Sequence, residues 1–438
     1  MKNEYKTIAR QAIESALKNG CREARAVLYQ GTNSSFEVQN EHIDRLQQAT
    51  ETSLSIHLFA DGRYGSFSTN RLEKEELERF IRNGIDSIRY LAEDPCRQLP
   101  PPERYYRGGK PDLHLADERI GTIAADEKVR IALAIAGEAY GRDPRIVSVN
   151  SCYSDGADSI YTVSSNGFEG EANGTWYSAS ATVGIRGEGD ARPSSYWYES
   201  ALFFDRLTKE GIGEKALSRA LQKLGQRKTA SGKYTLIVDS LNAAQLVSPL
   251  VRALSGPALQ QKNSFLLDKQ GRQVISEKVN LWDEPHLPEA NGARYFDTEG
   301  VATERRAVFE NGVLKTCFID TYNALKMHTA PTVGAPSLLV LEPGENELQG
   351  LVAGTDKGIL VTGFNGGNCN SSTGDFSYGI EGFLVKNGKI AQPVSEMNVT
   401  GNMLDLWSNL EAVGNDPLLS SSRRIPSLMF RDVDFSGL

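Results

Sequence analysis

The sequence is poor in the residues that mark disulfide-bonded and metal-binding proteins. Its five cysteines are odd in number, widely separated and never arranged as C-x-x-C. This pattern argues against a disulfide framework or a zinc ribbon and indicates a reducing compartment. The five histidines are equally dispersed, and none has a second histidine or a cysteine at helical spacing.

Basic blocks and long apolar runs are also scarce. The formal net charge is −8, and a surface of this sign repels a phosphate backbone, so nucleic acid is not expected as a partner. No apolar run approaches the ~18 residues of a membrane span. The first eighteen residues form an amphipathic pattern with acidic residues rather than a signal peptide. We therefore predict a cytoplasmic protein with no membrane association.

Catalytic motifs are missing as well. The sequence contains no H-E-x-x-H, G-x-S-x-G or G-x-x-x-x-G-K-S/T pattern. Cys369 could act as a nucleophile if a cation or a helix end lowered its pKa, but no His or Lys is near it in sequence. Arg423 and Arg424 follow three serines and could bind a carboxylate or phosphate, with a simple polar loop as the alternative.

What the chain does contain is a repeated change of hydrophobic period. Between Tyr5 and Leu91 the period is helical, then two, then helical again. Turn signals at Gly31-Thr32-Asn33 and Asp61-Gly62 divide the middle part into about four antiparallel strands. A similar order recurs from Asp126 to Leu224, which predicts an internal duplication, although unrelated small α+β units would look alike.

These patterns predict an α+β fold in which duplicated units of helix and antiparallel sheet precede a mostly β C-terminal domain. Two domains are the expectation for a chain of this length, and three are compatible with it. The predicted parts are two α+β units at 1–94 and 120–228, a Pro-rich extended connector at 95–119, and a C-terminal domain at 229–438.

Two stretches of the C-terminal domain stand out. Ser240 to Phe265 begins as an apolar helix that Gly256-Pro257 ends, and Pro249 inside it predicts either a kink or a restart with Ser248 as the cap. Gly363 to Gly379 is polar and rich in glycine. It predicts a long irregular loop, which in a compact domain is often functional.

Five blocks of the C-terminal half resemble the TldD/PmbA family, long described as modulators of DNA gyrase. The resemblance implies a two-subunit cytosolic metalloprotease, in which a TldD-type chain carries H-E-x-x-x-H on a helix and a PmbA-type chain, also called TldE, partners it. The blocks are Ser255–Asp268, Ile319–Lys326, Gly366–Gly379, Gly382–Lys389 and Ala412–Asp416.

The zinc ligands of the TldD-type chain have no counterpart in this sequence. Laid over the Ser240 helix, the family motif places Val247 at the first His, Ser248 at the Glu and Arg252 at the second His. The family's further cysteine ligand is also missing around Leu418 to Arg424. Valine cannot ligate zinc, serine is no general base for water, and arginine would repel the metal. The resemblance therefore implies a PmbA/TldE-type subunit without a cofactor, with zinc expected only in a TldD-type partner.

We thus expect a subunit that presents an unfolded peptide to a TldD-type metalloprotease. Exposed main chain in the glycine-rich stretch could pair with an extended peptide. The alternatives are a stand-alone hydrolase with Cys369 or another group as nucleophile and a binding protein for DNA gyrase, and a homodimer in isolation stays open. The expected peptide-binding residues are Asn365, Gly366, Gly367, Asn368, Cys369 and Asn370.

Overall fold

The computed structural model describes all residues from 1 to 438. None of its helices combines the length and the apolar character needed to cross a membrane. The α-helices are α1 (Asn3–Lys18), α2 (Lys74–Ile88), α3 (Ala125–Ala139), α4 (Ile212–Gln222), α5 (Ser240–Ala253), α6 (Gly256–Gln260), α7 (Thr321–Met327), α8 (Leu348–Ala353) and α9 (Met403–Ser408).

Seventeen strands form three sheets. The strands are β1 (Glu23–Gln39), β2 (His42–Ala60), β3 (Arg63–Thr69), β4 (Ile146–Ser164), β5 (Glu169–Ile185), β6 (Ser194–Ala201), β7 (Gly232–Val238), β8 (Leu281–Asp283), β9 (Arg306–Glu310), β10 (Val313–Leu314), β11 (Leu339–Leu341), β12 (Lys357–Cys369), β13 (Asp375–Lys386), β14 (Lys389–Asn402), β15 (Leu410–Val413), β16 (Arg423–Arg424) and β17 (Leu428–Ser436).

The first sheet joins the two predicted α+β units. Its order is β3-β2-β1-β4-β5-β6, and each half has the order helix, three strands, helix. The α+β class and the repeated order of elements are confirmed. The first unit has three strands rather than the predicted four, because Gly31-Thr32-Asn33 continues β1 instead of turning. Gly31 pairs with Glu51 on one side and Asp158 on the other.

All four helices of this region pack on one face of the sheet. Along β1, Ala26 and Leu28 contact the core under α1 and α2, whereas Phe36 and Val38 contact the core under α3 and α4. These residues are separated by even numbers, so alternation along the strand directs them to the same side.

A buried ion pair lies where the two halves meet. The Lys128 ammonium of α3 is 2.7 Å from a carboxylate oxygen of Asp155 on β4 and donates to the Ser34 hydroxyl of β1 over 3.0 Å. Tyr153 donates to the same carboxylate over 2.9 Å. Both charged side chains are almost fully buried, at 6% and 4% exposure, so their attraction must compensate for the hydration that each group loses.

The Pro-rich stretch, residues 95–119, packs between the first sheet and the C-terminal region. It contains only short 3₁₀ turns at Pro102–Arg104 and Glu118–Thr122. The ring centroids of Tyr105 and Phe168, which follows β4, are 5.1 Å apart. The Tyr106 ring stacks on Tyr295 with a centroid distance of 5.3 Å. The connector is therefore extended, as its sequence predicts, but it is held by aromatic contacts on both sides.

The C-terminal region contains the other two sheets. In the larger one β7 lies between β12, which runs parallel to it, and the antiparallel β17. A pairing of β14 with β17 closes β14, β13, β12, β7 and β17 into a barrel. The smaller sheet has the order β10-β9-β8-β11-β16. Helix α5 follows β7 directly and packs its apolar residues into the same core as the strands of this barrel.

Helix α5 is continuous through its proline. It runs from Ser240 to Ala253 with Pro249 inside, so the predicted restart at Ser248 is wrong. Leu246, Val247 and Leu250 are buried in the core on one side of the helix. This apolar packing keeps the helix together across the missing backbone hydrogen bond, and the Trp407 indole adds a bond of 3.3 Å to the Leu246 carbonyl.

Candidate functional site

The beginning of α5 is fixed to the barrel by its cap. The Asp239 carboxylate accepts from the backbone N–H of Asn242 over 3.1 Å and from its side chain over 2.6 Å. The same Asn242 amide donates to the Thr362 carbonyl of β12 over 2.9 Å. Burial raises the pKa of Asp239, although the Asn242 bonds and the Arg219 guanidinium at 3.6 Å oppose that effect. The helix thus begins at a defined place beside β12.

The face of α5 opposite the core borders a cavity of about 340 Å³. Gln245, Ser248, Pro249 and Arg252 recur at three-and-four spacing and line it together. Val247, only 1% exposed, lies in the core instead. Of the three residues laid over the family's H-E-x-x-x-H motif, the structure therefore brings Ser248 and Arg252 to the cavity and directs Val247 away from it.

The glycine-rich stretch forms the other wall, and it is a hairpin rather than the predicted loop. Gly367 of β12 pairs with Tyr378 of β13, and Cys369 pairs with Phe376. Glycine and asparagine are weak strand formers, so the sequence conceals these strands. An irregularity between Phe364 and Gly367 accommodates one extra residue, where Gly366 and Gly367 take φ values of 81° and 98°.

The tip of this hairpin is fixed by neighbours from distant parts of the chain. The Phe265 N–H donates to the Ser371 carbonyl over 3.0 Å, and Ser372 donates to the Asn263 side chain. The Asn402 amide donates to the Thr373 carbonyl over 2.8 Å. Two blocks that carried the family resemblance, Ser255–Asp268 and Gly366–Gly379, are therefore adjacent in space, and Phe265 itself lines the cavity.

Half of the predicted peptide-binding residues line the cavity. Gly367, Asn368 and Cys369 face it, whereas Asn365, Gly366 and Asn370 are exposed beside it. β7 pairs with β12 only from Gly358 to Val361. Beyond that point the edge of β12 that faces α5 has no neighbouring strand, so its main chain is available to an added strand.

A second cavity, of about 310 Å³, adjoins the first. The two share Gln245 and Ser248, and the second is also lined by Asn242, Phe364 and Arg423. We call the two cavities together the α5 cleft. Arg423 belongs to β16, which pairs in parallel with β11, and its guanidinium donates to the Ser248 hydroxyl. The predicted anion site at Arg423 and Arg424 is thus represented in the cleft by Arg423.

Cys369 lacks the surroundings of a catalytic thiol. Burial raises its pKa, Asp375 adds to this, and Arg252 only partly opposes it. None of the histidines lines the cleft. Burial also raises the pKa of Tyr378, which lines the same cavity, to about 12. A thiol that stays protonated and has no neighbouring base is poorly placed for nucleophilic attack.

The donor set of the cleft does not fit a zinc ion. Zinc sites are built from several thiolate, imidazole or carboxylate ligands, and the cleft offers one cysteine together with amides, hydroxyls and two guanidinium groups. Nowhere in the chain do three or more His, Cys, Asp or Glu side chains come together as a metal-binding group. The arrangement can bind a polar, extended ligand, and it holds no set of residues that would activate water.

Comparison with known domains gives this fold a class. Residues 24–88, 118–224 and 231–437 match, in order, domain 1, the central domain and the C-terminal domain of the PmbA/TldA metallopeptidases. The fold is therefore of the metallopeptidase class defined by these three domains. The chain belongs to the PmbA/TldD family, as its sequence blocks predicted.

Individual relatives cover the whole chain. It is 27% identical over 441 residues to the metalloprotease PmbA of Escherichia coli O157:H7, covering 98% of this chain and 96% of that protein. Among solved structures, it is 61% identical to a proposed modulator of DNA gyrase from Bacteroides thetaiotaomicron, with a TM-score of 0.98 and complete coverage of both chains. TldE from Thermococcus kodakarensis, 21% identical, shares the fold with a TM-score of 0.86 over 98% of this chain and all of that one.

Proposed function

We propose that this chain is a PmbA/TldE-type subunit of a cytosolic zinc metalloprotease complex that acts on unfolded peptides. In this proposal the α5 cleft holds the peptide, and the zinc belongs to a TldD-type partner subunit. The observation that carries the proposal is that helix α5 lines a well-defined cleft but has no set of zinc ligands. All five cysteines are free, which suits a reducing compartment.

The exposed edge of β12 supports the role in peptide binding. From Gly363 to Cys369 this strand pairs with β13 on one side only, and Asn365, Gly366, Gly367 and Asn368 are exposed. An extended peptide added at such an edge is held through its main chain, so binding tolerates many sequences. That tolerance suits a protease that acts on unfolded substrates.

The family supports the role of a partner. Its relatives are described as metalloproteases, yet the lining of the α5 cleft includes neither a histidine nor a carboxylate. Hydrolysis by a metal-bound water needs both a ligand set and a proton acceptor. In our proposal the partner chain supplies these groups, and the present chain contributes substrate binding.

The test is reconstitution with the TldD-type protein of the same organism. We expect the two chains to elute together in size-exclusion chromatography and to hydrolyse an unfolded casein substrate only when mixed. EDTA should stop the reaction, and Cys369→Ala, which changes the cleft lining but removes no catalytic group in this proposal, should not abolish it. EDTA-resistant hydrolysis by the present chain alone, lost in Cys369→Ala, would instead establish the stand-alone peptidase.

A role in modulating DNA gyrase is the second candidate. It is favoured by the description of the Bacteroides thetaiotaomicron relative, which covers this chain completely at 61% identity. The net charge of −8 makes direct binding of DNA unfavourable, so such a role would act through the gyrase protein. A pull-down with the tagged chain separates the two functions. We expect the TldD-type protein to be retained and gyrase to be absent.

A further inference from the structure

Two arginines of the α5 cleft have no carboxylate partner. Arg252 lines the first cavity and Arg423 the second, on either side of the shared Ser248. Neither forms an ion pair. By contrast, the nearby Arg219 of α4 lies 3.6 Å from the Asp239 carboxylate, and Lys223, directly after α4, lies 2.6 Å from that of Glu381. Cations without a carboxylate partner are therefore found in the cleft, whereas these two cations beside it are paired.

The cleft also excludes negative charge from its lining. Among the residues that line the two cavities there is no aspartate or glutamate, although the chain as a whole carries a net charge of −8. The acids beside the lining have partners of their own: Asp239 accepts from Asn242 over 2.6 Å and lies 3.6 Å from Arg219, and Asp375 accepts from Thr373 over 2.7 Å and from Asn402 over 3.0 Å. The positive charge of the cleft is thus not neutralised by the protein itself.

Ser248 fixes the direction of one arginine. Its hydroxyl donates to the Ala244 carbonyl over 3.0 Å and accepts from the Arg423 guanidinium. Arg252 follows Ser248 by four residues, which places the two side chains on the same face of α5, with Cβ atoms about 5–6 Å apart. Arg252 and Arg423 thus both border the Ser248 side of α5, and the single bond from Arg423 to Ser248 leaves most of the guanidinium N–H donors free.

We propose that the α5 cleft binds a carboxylate group of the peptide through Arg252 and Arg423, with Ser248 as the positioning residue for Arg423. The inference rests on the proposed function and specifies which peptides the cleft selects. Guanidinium groups bind carboxylates through paired, charge-assisted hydrogen bonds. The carboxylate is either the C-terminus of the peptide or an aspartate or glutamate side chain, and both sources have the same chemistry.

Four forms of one unstructured fluorescent octapeptide test the proposal. They combine a free or amidated C-terminus with a central Glu or Gln, and their dissociation constants for the full-length chain are measured by anisotropy. Removing the recognised carboxylate should weaken binding on the order of tenfold, as expected for charge-assisted hydrogen bonds. Loss on amidation identifies the C-terminus as the ligand, and loss on the Glu-to-Gln change identifies a side chain.

Arginine variants complete the experiment. Arg252→Met and Arg423→Met should each weaken binding of the carboxylate-bearing peptide about tenfold and leave the doubly neutral peptide unaffected. Arg79→Met, on the exposed face of α2, removes the same charge far from the cleft and should change nothing. Matching thermal unfolding curves establish that each variant is folded.

The outcomes separate this inference from the proposed function. Equal binding of all four peptides to the wild-type chain would overturn carboxylate recognition and leave peptide binding intact. Equal weakening of all four peptides by the arginine variants would also overturn it. Binding of none of the peptides by the folded wild-type chain would remove peptide binding itself, and with it both statements.

Discussion

The centre of the first sheet and the α5 cleft both contain positively charged side chains, but only the one in the sheet is paired with a carboxylate. Lys128 is buried and has a carboxylate at 2.7 Å, whereas Arg252 is exposed and Arg423 is half-buried, and neither has a carboxylate partner. A buried charge must be paired to be tolerated, so Lys128 belongs to the fold. A charge left unpaired in a cleft costs little and is available to a ligand. The comparison therefore separates a residue that holds the two units together from residues that we propose bind the peptide.

The largest effect should follow from breaking the buried pair. Lys128→Met leaves Asp155 buried without its cation, and we expect a loss of about 3–5 kcal/mol in the free energy of unfolding, measured by urea titration. Arg252→Met should change the same quantity by less than about 0.5 kcal/mol, because its side chain is exposed and unpaired. Similar changes in the free energy of unfolding for the two variants would show that the charged residues of the two regions do not differ in their contribution to stability.

A matched pair of glycine variants tests whether close contacts constrain the backbone of the cleft as tightly as that of the first sheet. A Cβ on Gly367 would lie 2.0 Å from the Ser377 carbonyl oxygen, and its φ is 98°. Gly366 also has a positive φ, 81°, but its Cβ would contact nothing. We expect Gly367→Ala to cost about 1–3 kcal/mol and to reduce peptide binding, and Gly366→Ala to cost about 1 kcal/mol. Equal losses would show that the close contact does not shape the hairpin.

Lowering the pH should reduce the stability of the first sheet before it changes the peptide affinity of the α5 cleft. Burial and the nearby Arg25 lower the pKa of His57 to about 3, and its ring nitrogen bonds to the Tyr64 hydroxyl at 2.8 Å. The unfolded histidine titrates near 6.5, so between these values only the unfolded chain binds the proton and stability falls as pH falls. Between pH 7.5 and 5.5 this contributes a loss of about 1 kcal/mol.

His57→Gln provides the control for that titration. Its stability should depend less on pH over the same interval, because the titrating group is gone. Peptide affinity should stay level, since guanidinium groups remain charged and the pKa values of Cys369 and Tyr378 are raised. An unchanged pH slope in the variant would assign the loss of stability to other groups.

The smallest effect concerns the cleft thiol, which tests whether unpaired positive charge has made it reactive. Because burial raises its pKa, Cys369 should react with iodoacetamide more slowly at pH 7.5 than an unstructured cysteine peptide. Mass spectrometry of the Cys369 peptide against pH would give a midpoint above about 8.5. A midpoint near neutrality would revive the stand-alone peptidase.

Elements with a strong period were predictable, and those made by distant pairing were not. The helices around Tyr5–Leu17 and Leu77–Leu91 carry apolar stripes, and the structure has α1 and α2 there. Gly363–Gly379 has no such pattern, because glycine, asparagine and serine outnumber its buried aromatic residues Phe376 and Tyr378, and its tip is held by the distant Phe265 segment. Pro249 predicts a break by a local rule, and core packing of Leu246 and Leu250 overrides it.

The candidate site was predictable only in part. The glycine-rich residues and the α5 motif positions could be found through the family resemblance, but the sequence could not show that Val247 packs into the core while Ser248, about 100° further around the helix, lines the cleft. The contact between Arg423 and Ser248 spans 175 positions of sequence, so no local pattern could reveal it. Only the fold brings the two arginines into one cleft.

The central claim is that the α5 cleft binds peptide without a metal. The most direct test is the dissociation constant of the carboxylate-bearing octapeptide for the isolated chain after dialysis against EDTA. We predict the same affinity before and after EDTA, and no gain when zinc is restored. Binding that disappears with EDTA and returns with zinc would contradict the account and make the cleft a metal site.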